Sequence, residues 1–249
     1  MGLAESLAAN EFARILLIKQ LKKCKTKEQK QAIDFFFYDE NGCGGCLGKK
    51  IWKKDEYLER VSTHVNSLNL RQKAIEKIGL DESEIQEIEP IMLSSFVFNS
   101  STYWKYFGDC IVSSKFGVTW LFFSAEQIYT YTYIFDMTGD SVEEITHDLF
   151  YTDITCFTTK TDLVENIIRR ELDKNNKRGC LGMTSTKDVS VSNIKDGCLN
   201  THVKRNYVVD TLEIDVPQTS FSFSMRNSEN IERSLQAVKN MLRDKKYDK

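Results

Sequence analysis

No stretch of this 249-residue sequence is long and apolar enough to cross a membrane or to form a signal-peptide core. The longest apolar run in the first helical segment, Ile15 to Ile18, is followed at once by Lys19, far short of the roughly 20 residues a spanning helix needs. Charge of one sign is lacking too. With 34 basic and 36 acidic residues the net charge is −2, so an electrostatic partner must be met by a local patch. Histidine is scarce: His64, His147 and His202 are the only three, none in a nucleophile or metal motif. His147, beside Asp148, reads as a sheet-edge residue. The seven cysteines are odd in number and, apart from Cys43 and Cys46, scattered, unlike a secreted disulfide scaffold. The expectation is a cytoplasmic protein with reduced thiols and no constellation that argues for an active site, hence not an enzyme. The opening MGLAES fits an acylation pattern at Gly2 as well as a plain helix cap near Ser6.

What is present divides the chain in two. Residues 1–90 read as a helical region. Leu7, Phe12, Ile15, Leu16, Ile18 and Leu21 recur at helical spacing and end in a run of lysines. A short helical turn is expected from Thr26 to Ile33, then a strand-like aromatic run Phe35 to Tyr38. Helices are expected over Asp55 to Leu68 and Asn69 to Ile78, with Gly79 as the stop, an acidic turn from Asp81, and Pro90 closing the region. Residues 91–249 change period. Short β-branched or aromatic segments at Phe96 to Phe98, Ile111 to Ser114, Val118 to Ser124, Ile128 to Phe135, Ile145 to Tyr151 and Ile154 to Thr158 predict an antiparallel meander. A polar insertion, Lys160 to Thr201, contains a predicted helix from Asp162 to Asp173. Strands return at Tyr207 to Val216 and Thr219 to Met225, and a helix from Ser228 to Lys245 carries Ile231, Leu235, Val238 and Met241 or Leu242 on one face. The fold class is therefore α+β: an N-terminal helical region, then a mostly antiparallel barrel or curved sheet closed by a C-terminal helix.

The densest chemical motif is the loop NGCGGCLGKK at 41–50. It fails as a phosphate loop, because Cys43 stands where the first glycine belongs and Lys50 where serine or threonine does. Three readings stay open. Cys43 and Cys46 form half of a zinc knuckle; since Gly-Cys-Leu recurs at Gly179 and Gly197, Cys180 and Cys198 are the candidate other half, giving a four-thiolate site for Zn. Alternatively Cys43 and Cys46 are a thiol-redox pair, although only Pro90 and Pro217 exist to face it. The third reading is a glycine-permitted turn with no cofactor.

The run VTWLFFSAEQIYTYTYIFD, followed by EEITHDLFYTDITCFTT, and the ending FSFSMRNSENIERSLQAVKNMLRDKK resemble the strands and capping helix of bacterial pleckstrin-homology-like (PH-like) domains. The resemblance covers roughly Met92 to Thr159 and Tyr207 to Lys246. It implies a β domain with a C-terminal helix and a non-catalytic recognition role toward lipids, peptides or proteins. Lys105 and Lys115 are the only lysines from Glu82 to Thr159, too few for a phosphoinositide site, so a protein partner is the expectation. The basic stretch from Lys19 to Lys54 holds Lys22, Lys23, Lys49, Lys50 and Lys53, candidates to touch nucleic acid or an anionic surface if they are not simply solvated.

Overall fold

A computed structural model describes residues 15–38, 51–85, 88–99, 101–107, 110–170, 202–226 and 228–247. Helix α1 covers 15–21. Helix α2, Lys27–Phe37, starts on a capping box: the Thr26 hydroxyl accepts from the Gln29 N–H at 3.2 Å, and the Gln29 side chain accepts from the Thr26 N–H at 3.0 Å. That nucleus carries the helix through Phe35, Phe36 and Phe37, where the sequence predicts a strand. The correction has a packing cause. Phe35 stacks on Tyr57 at 4.4 Å and on Phe107 at 5.7 Å, and Phe37 meets Tyr103 edge-on at 5.1 Å. Buried partners on several sides therefore outweigh the β preference of aromatic residues.

Helices α3 (Lys54–Ser67) and α4 (Leu70–Ile78) stand where expected. The Glu56 carboxylate accepts from the Lys53 N–H at 2.9 Å at the start of α3, and Gly79 ends α4 at φ 78°, a left-handed conformation open to glycine at little cost. A 3-10 turn follows at Glu82–Glu84. Pro90 does not close the helical region. It lies inside β1 (Ile88–Val97), at a register irregularity between Ile88 and Ile91, a place where a strand tolerates the missing N–H.

Strands β1, β4 (Lys115–Phe123), β5 (Gln127–Asp136) and β6 (Val142–Phe150) form one antiparallel sheet in the order β1-β4-β5-β6. A small ribbon of β2 (Trp104–Tyr106) and β3 (Ile111–Ser113) sits between β1 and β4 in the chain. Strands β7 (Cys156–Arg170), β8 (His202–Val216) and β9 (Thr219–Met225) make a second antiparallel sheet, and α5 (Glu229–Tyr247) ends the chain's described elements. The two sheets touch where the Arg226 N–H donates to the Ser94 carbonyl at 3.1 Å. They remain open, and none of the described strands closes a barrel.

The helix predicted from Asp162 is replaced by strand through Arg170. Residues 162–170 pair with β8, which supplies the ladder hydrogen bonds that β-branched Val164, Ile167 and Ile168 favour.

Two cores lie on opposite faces of the first sheet. Alternation puts Phe116, Val118 and Phe122 of β4 and Tyr131, Tyr133 and Phe135 of β5 against the helices, in a core with Ile33, Phe35, Phe36, Tyr57, Val61 and Ala74. The other face contributes Leu93, Leu121, Phe123 and Ile128 to a core with Leu212, Ile214, Phe223 and, from α5, Leu235, Val238 and Leu242.

Candidate partner-binding groove

Helix α5 is amphipathic by construction. Leu235, Val238 and Leu242 are buried at helical spacing. The Ser228 hydroxyl accepts from the Ile231 N–H at 3.3 Å, and Glu229 and Glu232 occupy the first turn, where the helix dipole favours them. The start of β7 is fixed by the Thr155 N–H, which donates to the Asp215 carbonyl at 2.8 Å.

Between these two elements runs an open groove. Its wider part, about 490 Å³, lies among Thr159, Glu229, Glu232, Arg233, Gln236 and Lys239, above the buried Leu235. A second part of about 230 Å³ lies among Ile154, Thr155, Cys156, Phe157, Lys239 and Arg243. Lys239 lines both. Along the helix the charge shifts from Glu229 and Glu232, the first of them paired with Arg233 at 3.5 Å, to Lys239 and Arg243, over about 21 Å at 1.5 Å per residue. Strand β7 pairs with β8 alone, so its other edge carries no strand among the described residues. The groove offers an unpaired strand edge and charges of both signs, but no histidine among its lining residues.

The sequence-selected residues fall elsewhere. Cys43, Cys46, Cys180 and Cys198, together with Lys49 and Lys50, lie outside the described residues. Cys24 and Cys156 are free thiols, and no group of His, Cys, Asp or Glu able to hold a metal occurs among the described residues. Lys22 is committed internally: it pairs with Asp34, and its ammonium lies 5.5 Å from the centre of the Tyr38 ring. Lys23 and Lys53 are exposed. His64 packs on Phe135 at 4.6 Å. His147 lies on β6, at the edge of its sheet, and packs on Phe221 at 4.5 Å. Burial lowers its pKa, against the raising effect of Asp148.

Two polar clusters escape sequence reasoning. Glu144 on β6 accepts from Lys73 of α4 at 2.6 Å and from the Tyr131 hydroxyl at 3.1 Å, while Lys73 lies 4.5 Å from the Tyr133 ring centre. The Lys73 hydrogen bond holds the Glu144 carboxyl below its usual range; burial and the bond to Glu144 push the Tyr131 phenol up. The second cluster centres on Lys105 of β2, only 3% exposed, whose ammonium reaches the backbone of α2. Both clusters fasten the helices to strands.

No helix among the described residues is long and apolar enough to cross a membrane. Comparison of the chain with protein-family models, with curated proteins and with solved structures returns no match.

Proposed function

We propose that this chain is a non-enzymatic recognition or scaffold protein of the cytoplasm, a PH-like domain with a helical N-terminal region that binds a protein partner. Support for the PH-like reading comes from the order of antiparallel meanders ending in a helix whose apolar face is buried against them. The observation that carries the function is the groove between α5 and β7. Its occupant is an extended segment of a protein partner, added to the free edge of β7 by main-chain hydrogen bonds, with basic side chains beside Glu229 and Glu232 and acidic ones beside Lys239 and Arg243.

Selection of peptides from a displayed random library against the full chain tests this. The expected winners carry separated basic and acidic ends and slow amide exchange at 154–159. The double variant Lys239→Glu/Arg243→Glu shifts the selection toward basic residues at the former acidic end. Failure to select any peptide, or selected peptides indifferent to the charge reversal, sinks the reading.

A further inference from the structure

Strand β6 is the outer strand of the first sheet: it pairs with β5, and no described strand lies on its other side. Two hydrogen bonds fix which of its main-chain groups point outward. The Asp136 N–H donates to the Ser141 carbonyl at 3.2 Å, the Tyr151 N–H donates to the Glu126 carbonyl at 2.9 Å, and between them the register with β5 is regular. Inward and outward groups alternate along an antiparallel ladder. The odd-numbered positions from 141 to 151 therefore bond to β5, and Val142, Glu144, Thr146, Asp148 and Phe150 turn their N–H and C=O away from it. All five are exposed, whereas Ile145 and His147 are half-buried and Leu149 is buried.

Such an edge is a template for a further strand, and a proline, a bulge or a very short strand is the usual protection. Strand β6 has none of these: it runs regularly for nine residues without proline, and Val142 and Phe150 are each 49% exposed. Its sequence, VEEITHDLF, is complementary to itself. Antiparallel pairing of two copies centred on Thr146 sets Val142 opposite Phe150, Glu144 opposite Asp148, and Thr146 opposite Thr146, each contact outside the centre being made twice. Facing acids repel in general, but here a cation stands beside them. Lys73 already holds Glu144 at 2.6 Å, and the Lys77 ammonium, 3.8 Å from Glu144, keeps a side chain 57% exposed. Val142, Glu144 and Thr146 pair with Phe135, Tyr133 and Tyr131, which line the core shared with α4. The incoming Asp148 thus arrives on the side of the sheet that carries Lys77.

We infer that β6 binds the β6 strand of a second copy of this chain, joining the two first sheets into one continuous sheet about a two-fold axis. About ten main-chain hydrogen bonds form, with two Val142–Phe150 contacts and two Lys77–Asp148 ion pairs. A basic strand from another protein finds Glu144 already neutralised, and matches the two apolar ends less closely than β6 itself does.

Sedimentation equilibrium of the full chain over a range of concentrations tests this. The wild type associates to a dimer. Thr146→Pro removes an outward N–H that β5 does not use, and weakens the dimer at least tenfold. Lys77→Glu and Asp148→Lys, each alone, place like charges across the two-fold and also weaken it at least tenfold. Mixing these two variants restores a dimer, because both ion pairs between unlike copies are then attractive. That restoration shows in addition that both variants are folded. Lys239→Glu/Arg243→Glu, in the groove beside α5, leaves the dimer intact. The inference is overturned by a wild type that stays monomeric, including one that instead takes up a lysine-rich extended peptide at β6. It is equally overturned by a dimer indifferent to Thr146→Pro, by a mixture of the charge variants that stays monomeric, or by a dimer lost on the groove substitutions.

Discussion

The ammonium of Lys105 donates to the main-chain carbonyl of Phe35 at 2.9 Å, and to that of Tyr38 at the same distance. A cation thus meets the negative end of α2 inside the protein, 4.9 Å from the centre of the Phe35 ring. Lys105→Met keeps the aliphatic stem but leaves both carbonyls without that donor. With charged hydrogen bonds worth about 1.5–3 kcal/mol each and partial relaxation of the helix end, the expected loss is about 2–4 kcal/mol. Urea unfolding followed by circular dichroism measures it, and an unchanged midpoint would contradict the assignment of Lys105 as the cap.

Tyr57, completely buried, donates its hydroxyl to the Ser113 carbonyl at 2.7 Å. Burial, and then the charge of Asp136, raise its pKa. A phenol held neutral in the fold contributes stability fully present below its ordinary value near 10 and lost as pH rises toward the folded-state value. The wild-type protein should therefore lose stability above pH of about 10 more steeply than Tyr57→Phe does. At neutral pH the same substitution should cost about 1–2 kcal/mol by orphaning the Ser113 carbonyl. Denaturant midpoints across the alkaline range give both numbers.

Glu144 supplies the opposite sign. Its carboxyl is held low, first by Lys73, so its contribution is present above the usual carboxylate range and is lost as pH falls through the folded-state value. The pair is partly exposed, and solvent screening limits it to about 0.5–1 kcal/mol. Glu144→Gln is expected to flatten the acid limb of the stability profile by that amount while leaving high-salt stability nearly unaltered. A limb as steep as wild type would assign the acid dependence to other carboxylates.

Leu235, 1% exposed, projects from α5 into the second core. Truncation to alanine should cost about 2–5 kcal/mol, whereas Gln236→Ala on the groove side should cost less than about 0.5 kcal/mol. Thermal unfolding of the two variants distinguishes the face that holds the helix from the face left to a partner.

Much of this fold was legible in the residues, and the reasons differ by element. Helix α5 was marked by apolar spacing and α4 by Gly79; β5 was marked by the nearly strict alternation of Tyr129, Tyr131, Tyr133 and Phe135 with Thr130, Thr132 and Ile134. Phe35 to Phe37 misled, because three adjacent aromatics suit a buried strand until Thr26 and Gln29 are recognised as a capping box 26 residues into the chain. Residues 162–170 misled in the reverse direction: Leu163, Val164, Ile167 and Ile168 fit a helical face, and only the distant β8 settles them as strand. The groove could be half seen, since Glu229, Glu232, Lys239 and Arg243 stand in order along α5, but its other wall comes from β7, far away in sequence. Lys105 gave no sign at all. A single lysine among strand residues looks solvated, and its burial depends on where a helix some 70 residues earlier happens to end.

The burial of Phe35, Phe36 and Phe37 also imposes an order of events on synthesis. Helix α2 emerges from the ribosome first, but the strand residues that share its core run on to Phe135, roughly 100 residues later, which takes about 5–20 s at usual elongation rates. For that interval the nascent chain carries three adjacent phenylalanines with no sheet to receive them, so chaperone occupancy should concentrate on this segment and end when β5 emerges.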